Sequence, residues 1–430
     1  MKPFTPMSVE FLTSPSSYSD RLYANSNYEI ETQKGEAILH AGLKESVKRV
    51  IKHWNYADDE IIVRSLRGGI TNLLYTLTPM EMEEKTVIVR IYGEGTSLFV
   101  DRTQENIVFS SLSDRGIGPK FYGTFKNGRV EGYCDARTLT ADEMKDSLVY
   151  PRTSMAIARL HSQNIFEINH DVSLWTKLDS FFDLAESSML SAHLRGKSSK
   201  TMSSDHSLAE MRDESMLLRK SVDETQAKLM DRLKNILTKS EKMKAFGAIF
   251  GYEVVLCHND LLSGNILLFN NVTDSFSEAV KKMVTQYSVE EKHNGLLTPE
   301  EPCSSFSAQR NSHRNEEYSE KGGISDTYLA NSDMLQKEDN MNPEGVTLID
   351  FEYAAYNYRA WDIANHFNEF AGFDFNIAKD FPNMNRRVEF LRHYVSSASK
   401  CDVSASGAQL REIVNNVEDF RDFIVGLEVH

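Results

Sequence analysis

A polar loop between two short apolar runs constrains the fold of this 430-residue chain more than any other segment. The loop reads HNDLLSGN over residues 258–265, and it lies between Val254–Cys257 and Ile266–Phe269. Short apolar runs bounded by polar residues are typical of buried strands, so the loop is predicted to open at the edge of a folded core. Two of its side chains carry chemistry, Asp260 and, five positions later, Asn265.

An Asp and an Asn at this spacing are typical of a catalytic loop for phosphoryl transfer, in which the Asp handles the proton of the attacking group and the Asn binds magnesium. An ordinary polar turn has the same composition, so the spacing alone does not decide. A second acid favours catalysis, because Asp350 follows the apolar run Val346–Ile349 at the place of a second magnesium ligand. Carboxylate and amide oxygens are the hard ligands that magnesium prefers.

The N-terminal part of the chain predicts an antiparallel sheet that carries one helix. Strand-like runs occupy Ile61–Leu66, Leu73–Leu77 and Thr86–Ile91, and RGGITN at residues 67–72 joins the first two. By itself, a segment of this kind is more often an ordinary hairpin turn. Beside a catalytic loop for phosphoryl transfer, it is predicted to place backbone N–H groups over nucleotide phosphates.

A cation and an acid follow the glycine turn. Arg90 lies at the end of the third run, where protein kinases carry a lysine, and Glu105 lies on a helix that Asp101 is predicted to cap. We expect the Glu105 carboxylate to orient Arg90 toward the phosphates. The alternative for each residue is a surface ion pair, worth under about 1 kcal/mol.

The sequence pattern divides the chain into a small lobe and a larger helical one. Residues 1–40 show no sustained period and are expected to be flexible, residues 41–135 form the N-terminal lobe, and helical patterns dominate residues 136–430. Residues 271–345 interrupt the helical lobe and are rich in Ser, Asn, Glu and Lys. Such a composition buries too little apolar surface to offset the entropy of ordering, so this insert is predicted to be flexible.

Charge and composition exclude several classes of function. A formal net charge of −15 argues against sequence-independent binding of nucleic acid or anionic lipid. No apolar run is long enough for a transmembrane helix, so no stable membrane anchor is expected. The four cysteines form no CxxC pair, which suits free thiols in a reducing compartment. A cytoplasmic location is the resulting expectation, and the oligomeric state stays open, a homodimer included.

Four segments resemble the choline/ethanolamine kinase family. They are GGITN at 68–72, VIVRIYG at 87–93, CHNDLLSGNILL at 257–268 and IDFEYAAYNYRAWDIANHFNEF at 349–370. The resemblance is stronger to the ethanolamine kinase branch, and it covers about residues 60–400 outside the insert. It implies an α+β, protein-kinase-like fold of two lobes, with a small antiparallel sheet and a mainly helical second lobe. It also implies ATP and Mg²⁺ as cofactors and phosphorylation of ethanolamine, the first step of phosphatidylethanolamine synthesis by the CDP-ethanolamine route.

The same resemblance implies a role for each residue of the site. Asp260 is the catalytic base, and Asn265 and Asp350 bind Mg²⁺. Glu369 is the acid on the side of the amino alcohol, and Asp362 is a buried acid that braces the catalytic loop. The implied nucleotide-binding residues are Gly69, Thr71 and Asn72 in the glycine turn, Arg90 and Glu105 as a phosphate-facing pair, and Gly132 and Cys134 in the hinge beside adenine.

Some alternatives stay open. Choline kinases commonly read HNDxQxGN where this chain has Leu262, which favours ethanolamine, but choline remains a candidate acceptor. The family also carries an aromatic SHFxWGLWxxxQ segment that walls the amine site, and this sequence has no counterpart before His430. A truncated, catalytically impaired protein that still binds nucleotide is therefore an alternative to an active enzyme. His258 and His366 are expected to bind backbone and carboxylates rather than a metal, because no His/Cys cluster accompanies them.

Overall fold

The computed structural model describes residues 23–66, 72–93, 95–96, 100–198, 228, 231–232, 234–245, 247, 251–270, 345–372, 376–398 and 406–428. Those up to Asn270 and from Val346 onward belong to one body. Within these ranges, every helix is too short or too polar to cross a membrane.

A six-stranded sheet makes up the N-terminal lobe. All neighbouring strands are antiparallel except β1 and β5. The predicted strand-like runs are confirmed, with ends that differ by two residues at most. The strands are β1 (Ala24–Ser26), β2 (Ile61–Leu66), β3 (Asn72–Pro79), β4 (Val87–Tyr92), β5 (Phe121–Phe125) and β6 (Gly128–Gly132), in the order β1-β5-β6-β4-β3-β2.

One face of this sheet is covered by helix α1 (Glu36–Val50). Alternate residues of β4, Val87 and Val89, are buried in one apolar cluster with Leu43 and Val47 of the helix. This arrangement follows from the sequence, because alternate side chains of a strand point to the same face and residues four apart on a helix do so as well.

The first described residues correct the prediction of a flexible stretch over residues 1–40. Strand β1 pairs in parallel with β5, and Ile30 is buried in the apolar cluster of the lobe. The Ile30 amide donates to Asn127 Oδ1 (3.0 Å), and Asn127 Nδ2 donates to the Ile30 carbonyl (2.9 Å). A three-residue strand has no period to detect, and its partners lie far along the chain. Residues 1–22 lie outside the described part of the chain.

Helix α2 (Arg102–Asp114) begins where the sequence predicts. The Asp101 carboxylate accepts from the backbone N–H groups of Thr103 (3.0 Å) and Gln104 (3.1 Å), which satisfies two of the free donors at the helix start. The buried face of the helix carries Leu112 and also Glu105. The helix therefore brings a carboxylate into the protein interior, where it needs polar or cationic partners.

The second lobe is mainly helical and contains two small antiparallel sheets. Strands β7 (Ala136–Thr138), β9 (Ile266–Phe269) and β10 (Val346–Leu348) form one, and β8 (Val254–Cys257) pairs with β11 (Ala355–Tyr358) in the other. The helices are α3 (Tyr150–His161), α4 (Ser173–Ser198), α5 (Arg359–Asn368), α6 (Ile377–Asp380), α7 (Met384–Ala398) and α8 (Ser406–Glu428), with further helical residues at 234–245.

A continuous apolar core joins these helices to the small sheets. Ile157 of α3, Phe367 of α5, Leu391 of α7 and Phe420 of α8 are all buried in it. Helix α3 packs on α7, and α5 packs on α8. Because the catalytic loop emerges between β8 and β9, this core is the platform that positions it.

Two predicted features lie wholly or largely outside the described residues. They are the glycine turn at 67–71 and the insert from 271 to 344. The two strands that flank the insert are described, and Leu268 of β9 pairs with Val346 of β10. Adjacent antiparallel strands therefore enter and leave the insert.

Candidate active site

The catalytic loop lies between β8 and β9, and it brings Asp260 and Asn265 together. Asn265 Nδ2 donates to Asp260 Oδ2 (2.9 Å) and to the Asp260 carbonyl (2.9 Å). A short turn, Ser263–Asn265, returns the chain toward Asp260. Asn265 is buried and Asp260 is partly exposed, so the amide supports a carboxylate that solvent and ligands can reach.

Asp350 is placed beside this loop through the backbone. The Ile349 N–H donates to the Asn265 carbonyl (3.0 Å), and His258 Nε2 bonds to the Ile349 carbonyl (2.9 Å). Asp350 itself has a left-handed backbone, with φ 64°, which is uncommon for a residue other than glycine. The two proposed magnesium ligands, Asn265 and Asp350, thus lie on adjoining segments.

The buried carboxylate of Asp362 holds the catalytic loop, which confirms the expected bracing role. Its Oδ2 accepts from the His258 N–H (2.8 Å), and its Oδ1 accepts from the Asn259 N–H (2.7 Å). Asn259 also has a left-handed backbone, with φ 65°, and such a conformation persists only where its surroundings enforce it. The Asn259 side chain adds a bond to the Tyr353 carbonyl (3.0 Å). These contacts fix the backbone immediately before Asp260.

The second histidine also contacts backbone, as expected. His366 Nδ1 donates to the Leu261 carbonyl (2.9 Å), which lies in the catalytic loop. Burial lowers the pKa of His366 to about 4, so the ring is neutral near pH 7. We refer to His258, Asn259, Asp362 and His366 with their backbone contacts as the catalytic-loop frame.

The predicted pairing of Arg90 with Glu105 is wrong. Arg90 NH1 donates to Asp350 Oδ1 (2.9 Å), and its Nε donates to Glu131 Oε1 (3.0 Å). Glu131 lies on β6, the strand next to the one that carries Arg90. The cation of the N-terminal lobe is therefore oriented by one acid of its own sheet and one proposed magnesium ligand.

Glu105 is engaged by two other arginines. Arg102 donates to Glu105 Oε2 (2.7 Å), and Arg129 donates to Glu105 Oε1. Arg129 lies directly opposite Arg90 in the pairing of β4 with β6, so the two cations are close neighbours on one face. This long-range strand pairing puts a second cation beside the acid, which is why the expected pair does not form.

A third carboxylate joins this group. Arg102 NH1 also donates to Glu352 Oε2 (3.3 Å), and carboxylate oxygens of Glu105, Asp350 and Glu352 all lie within 4.8 Å of one another. Several carboxylate oxygens in one place fit a hard divalent cation such as Mg²⁺. We call these side chains the charge cluster, which consists of Arg90, Arg102, Arg129, Glu105, Glu131, Asp350 and Glu352.

The two acids at the centre of the site have opposite electrostatic surroundings. Burial favours the neutral form of Asp350, but the nearby arginines, Arg90 first, outweigh it and hold the pKa below its ordinary value. Burial raises the pKa of Asp260, and the charge of Asp350 adds to this, although His258 and the hydrogen bond from Asn265 act in the other direction. Asp350 is therefore a firm anion suited to a cation, and Asp260 is a more basic carboxylate suited to accept a proton.

Glu369 lies near enough to Asp260 for their charges to interact. It opens the short turn Glu369–Ala371 that follows α5, and it is partly buried. Burial raises the pKa of Glu369, and the charge of Asp260 raises it further. The expected substrate-side acid thus shares an electrostatic environment with the expected base.

The expected nucleotide-binding turn is described only at its end. Gly69 and Thr71 lie outside the described residues. Asn72 opens β3, and its Oδ1 accepts from Arg102 NH2 (3.3 Å). Arg102 NH2 also donates to Thr96 Oγ1 (2.8 Å). Arg102 therefore ties the end of the glycine turn to the charge cluster.

The expected hinge connects the two lobes. Gly132 closes β6, and its N–H donates to the Lys120 carbonyl (2.6 Å). Cys134 lies in the connection from β6 to β7, where burial raises the pKa of its thiol to about 11. Between them, Tyr133 is half-exposed. The backbone of this segment is thus positioned by the sheet on one side and by β7 on the other.

Sequence reasoning missed four members of the charge cluster, namely Arg102, Arg129, Glu131 and Glu352. Arg129 and Glu131 occupy alternate positions of β6, all five residues of which are buried. Charged residues two apart in a buried strand face the same side and need partners, and this alternation was the signal available. Arg102 and Glu352 offered only their nearness in sequence to Asp101 and Asp350.

Comparisons with known proteins bear on the family and the fold. Residues 63–425 match the family described as choline/ethanolamine kinase. A probable ethanolamine kinase of Arabidopsis thaliana is 25% identical over 382 residues, which cover 88% of this chain and 75% of that protein. A probable ethanolamine kinase B of Dictyostelium discoideum is 26% identical over 376 residues, covering 86% and 72%. A solved ethanolamine kinase of Plasmodium vivax has a TM-score of 0.55 at 18% identity, covering 97% of this chain and 87% of the other. The predicted two-lobed, protein-kinase-like α+β fold is thereby confirmed.

Proposed function

The chain belongs to the choline/ethanolamine kinase family, and we propose that it transfers the γ-phosphoryl group of ATP to the hydroxyl oxygen of ethanolamine. The observation that carries this proposal is the convergence of Asp260, Asn265 and Asp350 on adjoining segments. A base and two oxygen ligands for a metal, held in one place, are the parts that phosphoryl transfer requires. The relatives named as ethanolamine kinases in two organisms support the choice of acceptor.

Asp260 accepts the proton of the acceptor hydroxyl in this scheme. As the new O–P bond forms, the bond from the γ-phosphorus to the bridging oxygen breaks and ADP leaves with that electron pair. A carboxylate whose pKa is raised by burial and by Asp350 is a better proton acceptor than an ordinary aspartate. The products are phosphoethanolamine and ADP, and phosphoethanolamine is the intermediate that enters the CDP-ethanolamine route.

Asn265 and Asp350 are the proposed ligands of Mg²⁺, and the carboxylates around Asp350 fit such an ion. When bound, the ion supplies positive charge to the phosphate oxygens. Arg90 is buried beside Asp350 and contributes a positive charge on the same side. The remaining proposed nucleotide contacts are Gly69, Thr71 and Asn72 at the phosphates, Glu105 as the acid that orders the neighbouring arginines, and Gly132 and Cys134 at adenine.

Glu369 is the proposed partner of the ammonium group. Ethanolamine carries three N–H donors at neutral pH and can hydrogen-bond directly to a carboxylate, whereas choline has none and depends on aromatic faces. A partly buried carboxylate within electrostatic range of Asp260 therefore favours the primary amine. A site built for donated hydrogen bonds leaves its carboxylate unpaired when the donor is missing.

We also propose that the protein is located in the cytoplasm and that it forms a homodimer. Among the described residues, Cys134 and Cys257 are free thiols, which suits a reducing compartment. Light scattering of the purified protein would measure the assembly directly.

The function is tested by steady-state kinetics of the full chain with ATP and Mg²⁺, using ethanolamine and choline as competing acceptors and ³¹P NMR to identify the product. We expect kcat/KM for ethanolamine to exceed that for choline by about 10-fold or more. Glu369→Gln should raise the KM for ethanolamine and leave that for choline nearly unchanged. A preference for choline would overturn the acceptor assignment, and no transfer to either alcohol would overturn the proposed activity.

A further inference from the structure

A buried chain of hydrogen bonds leads from helix α7 to the catalytic loop. The Tyr394 hydroxyl bonds to His161 Nδ1 (2.8 Å), and His161 Nε2 bonds to Asp362 Oδ2 (3.0 Å). The same Asp362 oxygen accepts from the His258 N–H (2.8 Å). Tyr394, His161 and Asp362 are 1%, 6% and 0% exposed, so water does not compete for these bonds.

The Asp362 carboxylate fixes the direction of the two bonds that it accepts in this chain. Burial acts to raise the pKa of Asp362, but the hydrogen bonds that it accepts from His161 and from the His258 N–H act against burial, and the pKa lies below its ordinary value, so Asp362 is ionised. A carboxylate only accepts hydrogen bonds, so His161 Nε2 carries a proton. Nδ1 of the same ring bonds to the Tyr394 hydroxyl, so the ring is held at both nitrogens. Burial raises the pKa of Tyr394, which keeps its proton in place.

The three residues come from three helices that meet at the loop. Tyr394 lies on α7, His161 is the last residue of α3, and Asp362 lies on α5. A carboxylate with two backbone partners can still rotate unless a further group fixes it. His161 supplies that third contact, and Tyr394 fixes the plane of the imidazole ring.

We propose that Tyr394 and His161 are positioning residues that hold the Asp362 carboxylate in the orientation that sets the backbone before Asp260. This inference rests on the proposed function, since it assigns the two residues to the rate of phosphoryl transfer. Neither residue touches a reacting group. Both act through the His258 and Asn259 amides, which Asp362 holds.

The chain offers a matched control for this proposal. Ser154 Oγ, on α3, donates to the Phe390 carbonyl of α7 (2.6 Å), and Ser154 is fully buried. Tyr394→Phe and Ser154→Ala therefore each delete one buried hydroxyl and one hydrogen bond between the same two helices. Only the first deletion lies on the path to Asp362. A difference between the two variants thus measures positioning rather than helix packing.

The test compares the kinetics of these two variants in the full chain. We expect Tyr394→Phe to lower kcat about 5- to 10-fold, the size expected for one buried hydrogen bond, with the KM for ATP within about 2-fold of wild type. Ser154→Ala should leave kcat within about 2-fold. Equal losses of kcat in both variants, or no loss in Tyr394→Phe, would overturn the proposal.

Substitution of His161 gives a second test, which compares a variant that can still donate to Asp362 with one that cannot. The amide nitrogen of His161→Gln can reach the position of Nε2 and donate to Asp362, whereas His161→Leu cannot. We expect His161→Gln to retain at least about 10 times the kcat of His161→Leu. Equal kcat values in two folded variants would contradict a role through the Asp362 carboxylate.

Hydrogen exchange separates this proposal from the proposed function. Exchange of the His258 and Asn259 amides, followed by NMR, needs no turnover. We expect faster exchange at both amides in Tyr394→Phe and unchanged exchange in Ser154→Ala. If the wild type transfers no phosphate, the proposed function fails, while this measurement still decides whether the two residues hold the loop. Unchanged exchange in Tyr394→Phe would show that they do not.

Discussion

In the charge cluster, charged side chains hold one another, whereas in the catalytic-loop frame side chains hold the backbone. Arg90 reaches Asp350 and Glu131 through side-chain ion pairs alone. Asp362 and His366, in contrast, bind backbone amide and carbonyl groups of the loop. Ion pairs between flexible side chains can change partners when a charged ligand arrives, but backbone contacts of a strained loop fix one geometry.

This difference matches the two tasks of the site. A nucleotide and its metal bring a large charge into the cluster, and the pairs there can be redistributed around it. The loop must instead hold one carboxylate at one position, because misplacement of a base costs rate steeply. Changes in the cluster should therefore affect ligand binding and stability, and changes in the frame should affect the chemical step.

The largest effect is expected from removing the central acid of the charge cluster. Asp350→Ala deletes the partner of Arg90 and a proposed ligand of Mg²⁺. The Mg²⁺ concentration needed for half-maximal activity should therefore rise, and kcat/KM for ATP should fall by roughly 10²-fold or more. Magnesium titrations of activity at fixed ATP measure this. An unchanged dependence on Mg²⁺ would remove Asp350 from the metal site.

A large loss of stability is expected from opening the buried part of the cluster. Glu105→Ala leaves Arg129, which is 1% exposed, beside Arg90 with one acid fewer. Breaking a buried pair from one side costs about 3 to 5 kcal/mol in the free energy of unfolding. Denaturant titrations with Glu45→Ala as control test this, since Glu45 pairs with Arg49 on an exposed helix surface. Equal losses in both variants would show that the cluster contributes no more than a surface pair.

A smaller effect, visible as pH dependence, is expected from the catalytic-loop frame. His366 has its pKa lowered to about 4 in the folded protein, against about 6.5 when unfolded. Between these values the unfolded chain binds a proton that the folded chain does not, so stability falls as pH decreases from 6.5 toward 4. The His366→Asn variant has no histidine to protonate at this position, so it does not lose this part of its stability at low pH. The difference in Tm between wild type and variant should therefore become smaller from pH 7.5 to pH 5. A gap that stays constant over that range would show that His366 does not contribute.

The smallest effect is expected outside both regions. Residues 271–345 connect β9 to β10, whose residues Leu268 and Val346 are paired neighbours, so a short Gly/Ser turn can join them. We expect the replacement to change ATP affinity less than about 2-fold, because loop-closure entropy varies by only about 0.6 kcal/mol per doubling of length. Calorimetric titration with ATP and thermal unfolding measure this. A large fall in Tm would contradict the prediction that the insert is flexible and dispensable.

The sequence predicted elements whose signal is local. Strands Ile61–Leu66, Val254–Cys257 and Ile266–Phe269 have the predicted bounds, because short apolar runs between polar residues define both ends. The Asp101 cap was likewise readable from its position before a helical period. The adjacency of Asp260 and Asn265 followed from a spacing of five residues within one loop.

The sequence could not predict features that depend on strand register. Arg129 forms the ion pair with Glu105 because it lies opposite Arg90 in the pairing of β4 with β6. No spacing along the chain reveals this strand pairing. Strand β1 was not predicted for the same reason, since its partner β5 is remote in sequence. The link from Tyr394 to Asp362 joins three helices and was equally hidden. Partner choice, rather than element type, is therefore what the sequence left open.

The most direct test of the account is the effect of Asp260→Asn on the chemical step and on ATP binding, measured separately. Single-turnover transfer to ethanolamine gives the first, and calorimetric titration with ATP and Mg²⁺ gives the second. We expect the rate to fall by roughly 10²- to 10⁴-fold, the usual contribution of a general base, while ATP affinity stays within about 3-fold because the charge cluster is intact. A variant that transfers phosphate at nearly the wild-type rate would contradict the assignment of Asp260 as the base.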